Sequence, residues 1–319
     1  MTALVRRALL SDYFVLGLCV LYAAVVVPFT PSFLSVGNGT NILSTLFPLL
    51  IVALGQMAVL ITGGIDLSAT AVIGLTSIVG AMAINDETGW LAGSPLATPS
   101  GVVIMLAIGA AVGMFNGLAV ARSGMPPFMV TFASMTGFSG LAVWLTHSKA
   151  INALPSAFVV LGGRTGVAFG IALAVAGFAH LMLSRSLLGR WLYAVGHNPR
   201  AALISGVPVS GVVVSAYVVS GFLAALAAVL YTGQAETGSP VLGQRIFLDI
   251  IGATVIGGTS LSGGKGKVLW TVFGVLFLKL VDNSMNLLNL SIFTITMAKG
   301  AVILLAACLD SARARLGTP

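Results

Sequence analysis

The chain has 319 residues, of which 58% are hydrophobic and 7% are charged. A soluble domain carries about a quarter charged residues, so this composition excludes a water-covered globular fold and is typical of a polytopic membrane protein. The net charge of +7 comes from basic residues placed between apolar runs, with no basic and aromatic patch. It therefore indicates membrane topology, and we expect no binding to nucleic acid.

Apolar runs long enough to cross a bilayer recur along the chain and predict an all-α fold of about ten transmembrane helices in a single domain, residues 1–319. The runs lie near 13–30, 43–62, 67–84, 101–121, 128–146, 166–184, 211–231, 246–258, 268–281 and 292–309. Arg6 and Arg7 precede the first run, which has no small-residue cleavage pattern, so we expect a retained span and not a signal peptide. The eighth and ninth runs are short and form either two spans or one interrupted segment.

The distribution of Lys and Arg predicts the side on which each loop lies. With ten spans and the N-terminus inside, the cytoplasmic set is Arg6, Arg7, Arg122, Arg185, Arg190, Arg200, Lys265, Lys267, Arg313 and Arg315. Lys149, Arg164 and Arg245 lie outside, and Lys279 and Lys299 lie within spans. Nine spans would move Arg313 and Arg315 outside. The positive-inside rule therefore favours ten spans with both termini in the cytoplasm.

The first interruption of the apolar pattern is TGGIDLS at 62–68. Two glycines loosen a helix there, and Asp66 followed by Ser68 can cap a new one. Irregular backbone at membrane depth is tolerated only against protein or a water-filled cavity, and an acid there is a functional candidate. Two interpretations stay open for Asp66, an N-cap at the interface and a functional residue at membrane depth.

Small residues on two spans predict close helix packing. Gly109, Gly113 and Gly117 form a GxxxGxxxG face on the fourth span. Ala224, Ala225 and Ala228 form a similar face on the seventh span. Small faces let backbones approach where lipid offers no hydrophobic drive, so we interpret both as packing surfaces.

A basic insert separates the sixth and seventh spans at 185–210 and contains no acid. Asn198 is a good helix N-cap and Pro199 a good first helical residue. Gly206 is suited to a left-handed stop, and Pro208 follows it. The pattern predicts a short cytoplasmic helix that lies along the membrane, either as an ordinary basic connector or as a surface for another protein.

A second interruption, GGTSLSGGKGK at 257–267, shares the pattern G-G-x-x-L-S with the first. The match is explained either by an internal repeat of the kind transporters use or by chance in a glycine-rich chain. The segment is not a phosphate-binding P-loop, because that motif needs Ser or Thr after its Lys and Gly266 follows Lys265.

Residues that carry chemistry are sparse. Three histidines and eight acids show no metal-ligand spacing and no catalytic pair, so we expect no metal site, no cofactor and no enzymatic activity. Lys279 and Lys299 are costly inside a bundle. We expect them to snorkel or to form ion pairs, with Asp282 a partner for Lys279.

Four blocks, in order along the chain, carry a resemblance to a known family. They are TGGIDLS at 62–68, GMFNGLAVARSGMPPFMVTFASMT at 113–136, GRWLYAVGHNPRAALISGV at 189–207 and GGTSLSGGKGKV at 257–268. Together they resemble the permease subunit of ribose-type ABC importers, from the second span onward. The resemblance implies a multi-pass inner-membrane subunit without its own ATPase site. It also implies a second permease copy, cytoplasmic ABC ATPase subunits that bind the ATP, and a periplasmic sugar-binding protein.

The resemblance also implies roles for residues. The insert would be the coupling helix that meets the ATPase, through Gly196, Asn198, Arg200, Ala201, Ala202, Ser205 and Gly206. For the sugar path we expect polar groups beside the breaks and on the fourth and fifth spans, with one aromatic residue. These are Asp66, Ser68, Asn116, Thr131 and Phe128.

Two rival functions share much of this pattern. An ABC permease for branched-chain amino acids or nucleosides would differ in its cargo. An ion-driven secondary transporter would need an acid deep in the bundle, for which Asp66 and Asp249 are the candidates. Dependence on ATP separates the second rival from the importer, and the ligand of the binding protein separates the first.

Overall fold

The computed structural model of the protein describes Ser11 and residues 13–317, with only the backbone of Arg245 and of residues 309–317. This part of the chain forms thirteen α-helices and no β-strand beyond one isolated bridge. The helices are α1 (Phe14–Val26), α2 (Val36–Ile61), α3 (Ala69–Ile84), α4 (Ala97–Ser123), α5 (Pro127–Thr146), α6 (Ser156–Gly163), α7 (Thr165–Arg185), α8 (Leu187–His197), α9 (Pro199–Ile204), α10 (Val209–Ala235), α11 (Phe247–Gly257), α12 (Val268–Leu287) and α13 (Ile292–Gly317).

The predicted all-α membrane fold is confirmed, and each of the predicted apolar runs coincides with a helix. Helices α2, α4, α5, α7, α10 and α12 are long and apolar enough to cross a membrane. The apolar segments at α1, α3, α11 and α13 are shorter. The total of ten spans and the side of each terminus stay predictions. Arg6 and Arg7 lie outside the described residues, as do the side chains of Arg313 and Arg315.

Several helices extend beyond their apolar runs, and α2 and α12 show the reasons. Helix α2 begins at Val36, about two turns before the predicted residue 43, because Ser35 caps it by accepting a hydrogen bond from the Asn38 amide at 3.2 Å. Helix α12 continues to Leu287, past the predicted residue 281, because Asn283 and Ser284 form hydrogen bonds to Asn38 of α2 and Tyr22 of α1. Hydropathy alone therefore places the start of α2 too late and the end of α12 too early.

The eighth and ninth runs form two separate helices that pack as an antiparallel hairpin. Helix α11 ends where Gly258 adopts φ +105°, a left-handed conformation that glycine reaches without strain. Gly257 lies against the backbone of Trp270, and Gly252 lies against the side chain of Leu278. The glycine-rich segment therefore connects the two helices at one end of the hairpin.

The small-residue face of the fourth span packs against α10. A methyl group at any of the three α4 glycines would overlap atoms of α10. The contacts join Gly109 to Gly221, Gly113 to Tyr217 and Gly117 to Val214. Ala224, Ala225 and Ala228 are fully buried. The interpretation of both faces as packing surfaces is confirmed, and α4 and α10 run antiparallel.

Loops that the topology assigns to the same side do meet. Ile151 and Gly238 pair through two backbone hydrogen bonds of 2.9 Å, and Asn85 donates to the carbonyl of Asn152 at 2.6 Å. These loops belong to the predicted outer side. At the opposite ends of the helices, Gly264 lies against His197 of α8. The basic insert and the glycine-rich segment thus share one side, as the ten-span prediction requires.

Candidate functional site

The insert folds as two short helices with a capped junction. The Asn198 side chain accepts hydrogen bonds from the amides of Arg200 and Ala201 at 3.0 and 3.1 Å, so it caps α9 as predicted. Gly206 has φ +82°, and its amide donates to Leu203 while the next amide donates to Ala202. These two bonds form a Schellman stop, which confirms the predicted end of the helix.

The short helix α9 leaves apolar side chains exposed. Ile204 is 87% exposed and Leu203 is 64% exposed, whereas Ala202 is buried against the protein. Arg200, Ala201 and Ser205 are exposed beside them. A tightly capped helix that presents large apolar side chains next to a cation, away from the apolar bundle, has the character of a protein-binding surface.

The preceding helix α8 is joined to both breaks of the membrane bundle at one point. A methyl group at Gly196 would overlap the carbonyl of Ile61, at the end of α2, and the amide of Gly264. Gly264 itself donates to the Ile61 carbonyl at 2.8 Å, and Gly63 lies beside Gly263. We call this meeting of Ile61, Gly63, Gly196, Gly263 and Gly264 the glycine junction.

A side-chain hydrogen bond strengthens the same attachment. The Tyr193 hydroxyl of α8 donates to the Gly266 carbonyl at 2.8 Å. Burial raises the pKa of the Tyr193 phenol above its usual range, so the hydroxyl keeps its proton and remains a donor. The insert is therefore fixed to the glycine-rich segment by backbone contact and by a side chain. A displacement of α8 would therefore displace the glycine-rich segment and the end of α2 as well.

Asp66 is the centre of a buried hydrogen-bond cluster. Asp66 is only 3% exposed. One of its carboxylate oxygens accepts hydrogen bonds from the Ser68 amide at 3.0 Å and from the Ser68 hydroxyl at 2.6 Å. The other oxygen accepts from the Ser220 hydroxyl of α10 at 2.7 Å. With its carboxamide turned so that the nitrogen faces the Asp66 carbonyl, Gln56 of α2 donates to that carbonyl and accepts from the Asp66 amide. Asp66 therefore helps to start α3 from a position buried in the protein.

The cluster continues into the fourth and fifth spans. The Asn116 amide of α4 donates to the Ser68 hydroxyl at 2.8 Å, and the Ser134 hydroxyl of α5 donates to the Asn116 oxygen. The Thr131 hydroxyl lies 3.3 Å from the Ile65 carbonyl. We call the set of Gln56, Asp66, Ser68, Asn116, Thr131, Ser134 and Ser220 the Asp66 cluster. It joins five helices with every named polar group hydrogen-bonded, as a buried network needs.

The structure brings four of the five predicted path residues together and leaves out the fifth. Phe128 is 57% exposed and stacks in parallel on Phe132 of the same helix, with ring centroids 5.7 Å apart. Gln56, Ser134 and Ser220 complete the cluster and were missed by sequence reasoning. A polar residue in an apolar run is a signal for a buried partner, but the chain contains too many hydroxyls in spans to tell which ones meet.

A crevice between α4 and α5 reaches the edge of the Asp66 cluster. It has a volume of about 370 Å³, and its lining includes Phe115, Ser134 and Phe138. The two aromatic rings meet edge to face with centroids 6.3 Å apart. Ser134 thus belongs both to the buried cluster and to the crevice wall.

A second polar cluster lies between α11, α12 and α13. Lys299 contacts Asp282 at 2.7 Å and Asp249 at 3.1 Å, and Lys279 contacts the same carboxylates at 4.0 and 3.8 Å. Two acids and two bases give a net charge of zero. We call these four residues the Asp249 cluster. The expected pairing of Lys279 with Asp282 is confirmed, while sequence reasoning missed that Asp249 and Lys299 complete the set.

Known proteins resemble this chain over most of its length. Residues 38–307 match the family model described as the permease component of the branched-chain amino acid transport system. A ribose import permease protein of Bacillus subtilis (strain 168) is 37% identical over 302 residues, covering 92% of this chain and 91% of that protein. The galactose/methyl galactoside import permease protein of Escherichia coli (strain K12) is 30% identical over 303 residues, covering 90% of each. No solved structure matches the chain significantly.

These matches agree with the resemblance carried by the two breaks, the fourth and fifth spans and the insert. Together with the apolar helices they place the chain in the inner membrane as a multi-pass protein. The chain belongs to the family of branched-chain amino acid and ribose transport permeases, and within it to the ribose-type sugar permeases of ABC importers.

Proposed function

We propose that this chain forms the membrane path of an ATP-driven importer for a monosaccharide of the ribose or galactose class. The named sugars of its relatives support this cargo. In the proposed transporter a second copy of the chain completes the path, cytoplasmic ABC ATPase subunits bind the ATP, and a periplasmic sugar-binding protein delivers the sugar. The chain supplies no ATPase site of its own.

The observation that carries the proposal is that the exposed helix α9 directly follows α8, which is attached to both breaks of the bundle. Its apolar residues Leu203 and Ile204 are free to enter a groove on an ATPase subunit. The preceding helix α8 contacts the bundle through the glycine junction. A surface for a partner and a mechanical connection to the membrane helices are therefore adjacent in the same insert.

Transport then follows from a shift between two arrangements of the helices. ATP closes the ATPase dimer and displaces α9, and the glycine junction passes the displacement to the end of α2 and to the glycine-rich segment. Asp66 follows Gly63 by three residues, so the movement reaches the Asp66 cluster and through it α4, α5 and α10. The bundle faces outward or inward according to which arrangement is more populated.

For the sugar itself we propose the crevice between α4 and α5. An aromatic face and a few hydrogen-bonding groups are the usual lining of a small-ligand site, and Phe115, Phe138 and Ser134 supply them. In this arrangement Asp66, Ser68 and Asn116 hold the Ser134 hydroxyl in place from behind the wall. Phe128 lies on the same helix as Ser134, and its contact with sugar is a separate prediction.

The first experiment tests the contact with the ATPase. The complex of the chain, its cognate ATPase and its binding protein is reconstituted in liposomes, and ATP-driven uptake of labelled ribose and galactose is measured. Because Ile204 is almost fully exposed, Ile204→Asp should leave the fold intact but lower uptake at least about tenfold by placing a charge in an apolar contact. Ile204→Leu is the matched control and should retain uptake. Normal uptake by Ile204→Asp would contradict the coupling role of α9.

A second pair of variants tests transmission through the glycine junction. Gly196→Ala places a methyl group against Ile61 and Gly264, whereas Gly211→Ala places one in open space at the start of α10. The first variant should still bind the ATPase but hydrolyse ATP without importing sugar, and the second should import normally. The chromatographic profile of each complex checks its folding. Equal import by the two variants would show that the junction transmits nothing.

The family description favours one alternative cargo, branched-chain amino acids. The same reconstituted complex separates the two, because uptake requires the ligand that the binding protein holds. Uptake of leucine with no uptake of either sugar would show that the cargo is an amino acid, and the proposed mechanism would otherwise stand. Uptake that runs on an ion gradient without ATP would overturn the importer itself.

A further inference from the structure

A second crevice lies between α2, α7 and α10. Its volume is about 370 Å³, and all the side chains that line it are apolar. Its walls include Leu54, Met57, Phe178, Met182 and Phe222. Phe178 is 71% exposed, so the crevice opens to the outside of the protein. It offers no hydrogen bond to a sugar, and its chemistry suits a hydrocarbon chain.

A cation lies one helical turn beyond this apolar lining. Phe178, Met182 and Arg185 are spaced by four and three residues on α7, so they lie on one face of the helix. Arg185 is exposed, and among the described residues no carboxylate pairs with it. The insert that follows contains no acid up to Gly211. The crevice therefore has a positive charge at the end that faces the insert.

We propose that this crevice binds an anionic phospholipid from the leaflet next to the insert. One acyl chain fills the space between α2, α7 and α10, and the phosphate pairs with Arg185. Basic pockets between transmembrane helices bind anionic head groups in this way. The apolar crevice in addition holds one acyl chain and so fixes the depth at which the lipid binds. The proposal rests on the crevice and the cation, and it is independent of the sugar.

The position of the site gives the lipid an influence on coupling. Helices α2 and α10 form two of its walls and also contribute Gln56 and Ser220 to the Asp66 cluster. Helix α7 forms the third wall and leads directly into α8. A bound chain holds these three helices in the described arrangement, so the occupant stabilises one of the two states between which transport alternates.

The charge is tested by lipid retention. The full-length chain is stripped of lipid in detergent, phosphatidylglycerol or phosphatidylcholine is added, and the bound lipid is counted by native mass spectrometry. The native chain should retain phosphatidylglycerol about fivefold better, which is the effect of one basic residue near an anionic head group. Arg185→Gln should abolish this preference, and Arg164→Gln, at the other end of α7, should keep it. Equal retention of the two lipids by the native chain would overturn the proposal.

The crevice is tested by filling it. Ala174→Phe places a ring inside the slot, whereas Leu173→Phe places one on the neighbouring exposed position that does not line it. Ala174→Phe should lower retention of both lipids about tenfold, since the acyl chain loses its buried methylene contacts. Leu173→Phe should bind as the native chain does. Equal binding by the two variants would reduce the site to ordinary surrounding lipid. A change of oligomeric state in Ala174→Phe would instead show that a second copy fills the slot, which also overturns the proposal.

Discussion

The Asp66 cluster and the Asp249 cluster each bury carboxylates between helices, but they satisfy them with different partners. Three hydrogen bonds from Ser68 and Ser220 surround the Asp66 carboxylate, and in the described part of the chain no Lys or Arg reaches it. In the Asp249 cluster, two lysines neutralise two carboxylates. One cluster is built from neutral donors, and the other is balanced by charge.

The difference matches what each cluster connects. The charged cluster joins only α11, α12 and α13, and it is balanced only as a complete set of four. The Asp66 cluster joins five helices and continues along the chain to the glycine junction. A hydrogen bond from a neutral hydroxyl to a carboxylate contributes about 1.5–3 kcal/mol and can be replaced by another donor, whereas breaking a buried ion pair costs about 3–5 kcal/mol and leaves a charge without a partner. We infer that the Asp249 cluster fixes one part of the bundle while the Asp66 cluster is the part that rearranges.

The largest expected effect comes from removing one charge of the balanced set. Asp249→Asn leaves two lysines facing one carboxylate, and an uncompensated buried charge costs about 3–5 kcal/mol. The melting temperature of the detergent-solubilised chain should fall by many degrees, and α13 should lose protection from amide exchange first. Thermal unfolding followed by size-exclusion chromatography measures the first effect.

A double variant separates charge balance from simple loss of contacts. Asp249→Asn combined with Lys279→Met leaves Asp282 and Lys299 as a pair at 2.7 Å, so the site is neutral again. Most of the lost stability should return, because replacing a complete buried pair by uncharged groups is often close to neutral. A double variant as unstable as the single one would show that the cluster acts through packing and not through charge.

The same substitution at the other cluster should cost less. Asp66→Asn removes a charge that has no cationic partner in the described residues, and the new amide can donate to the Ser220 hydroxyl in place of accepting from it. We expect a loss of about 1–2 kcal/mol, the value of one or two altered hydrogen bonds. The melting temperatures of the two Asp→Asn variants are compared directly. Ser220→Ala, which removes one donor, should cost about the same as Asp66→Asn. A loss at Asp66 as large as at Asp249 would end the distinction between the clusters.

The sequence predicts local structure here because local rules decide it. Apolar runs give the helices, Asn198 and Pro199 give the start of α9, and the glycine spacing on α4 gives a packing face, since each depends on residues within a few turns. The short helix α6 and the amphipathic helix α8 do not follow from the apolar runs. Helix α8 crosses the surface, so its pattern lacks the long continuous hydrophobic stretch that marks a span.

The two clusters show what the sequence leaves undecided. Asp66 meets Ser220, 154 residues away, and Asp249 meets Lys299, 50 residues away. An acid in an apolar run predicts that a partner exists, because burying it alone is too costly. Which partner it meets depends on helix rotation and crossing, and these are set by packing over the whole bundle. The pairing of Lys279 with Asp282 could be predicted because one helical turn joins them.

The smallest expected effect lies at α9, the part of the insert farthest along the connection from the Asp66 cluster. Asn198→Ala removes the two hydrogen bonds that start α9, and the loss of an N-cap costs about 1 kcal/mol. Because α9 is six residues long and mostly exposed, this cost should appear as local opening. Amide exchange over 199–206 should quicken about fivefold, with the melting temperature of the bundle unchanged. Asn198→Ser keeps a capping oxygen and should retain the native protection. A lowered melting temperature in Asn198→Ala would mean that α9 helps to hold the bundle together. The proposed coupling needs a stable bundle and a separately movable insert, so this result would contradict it.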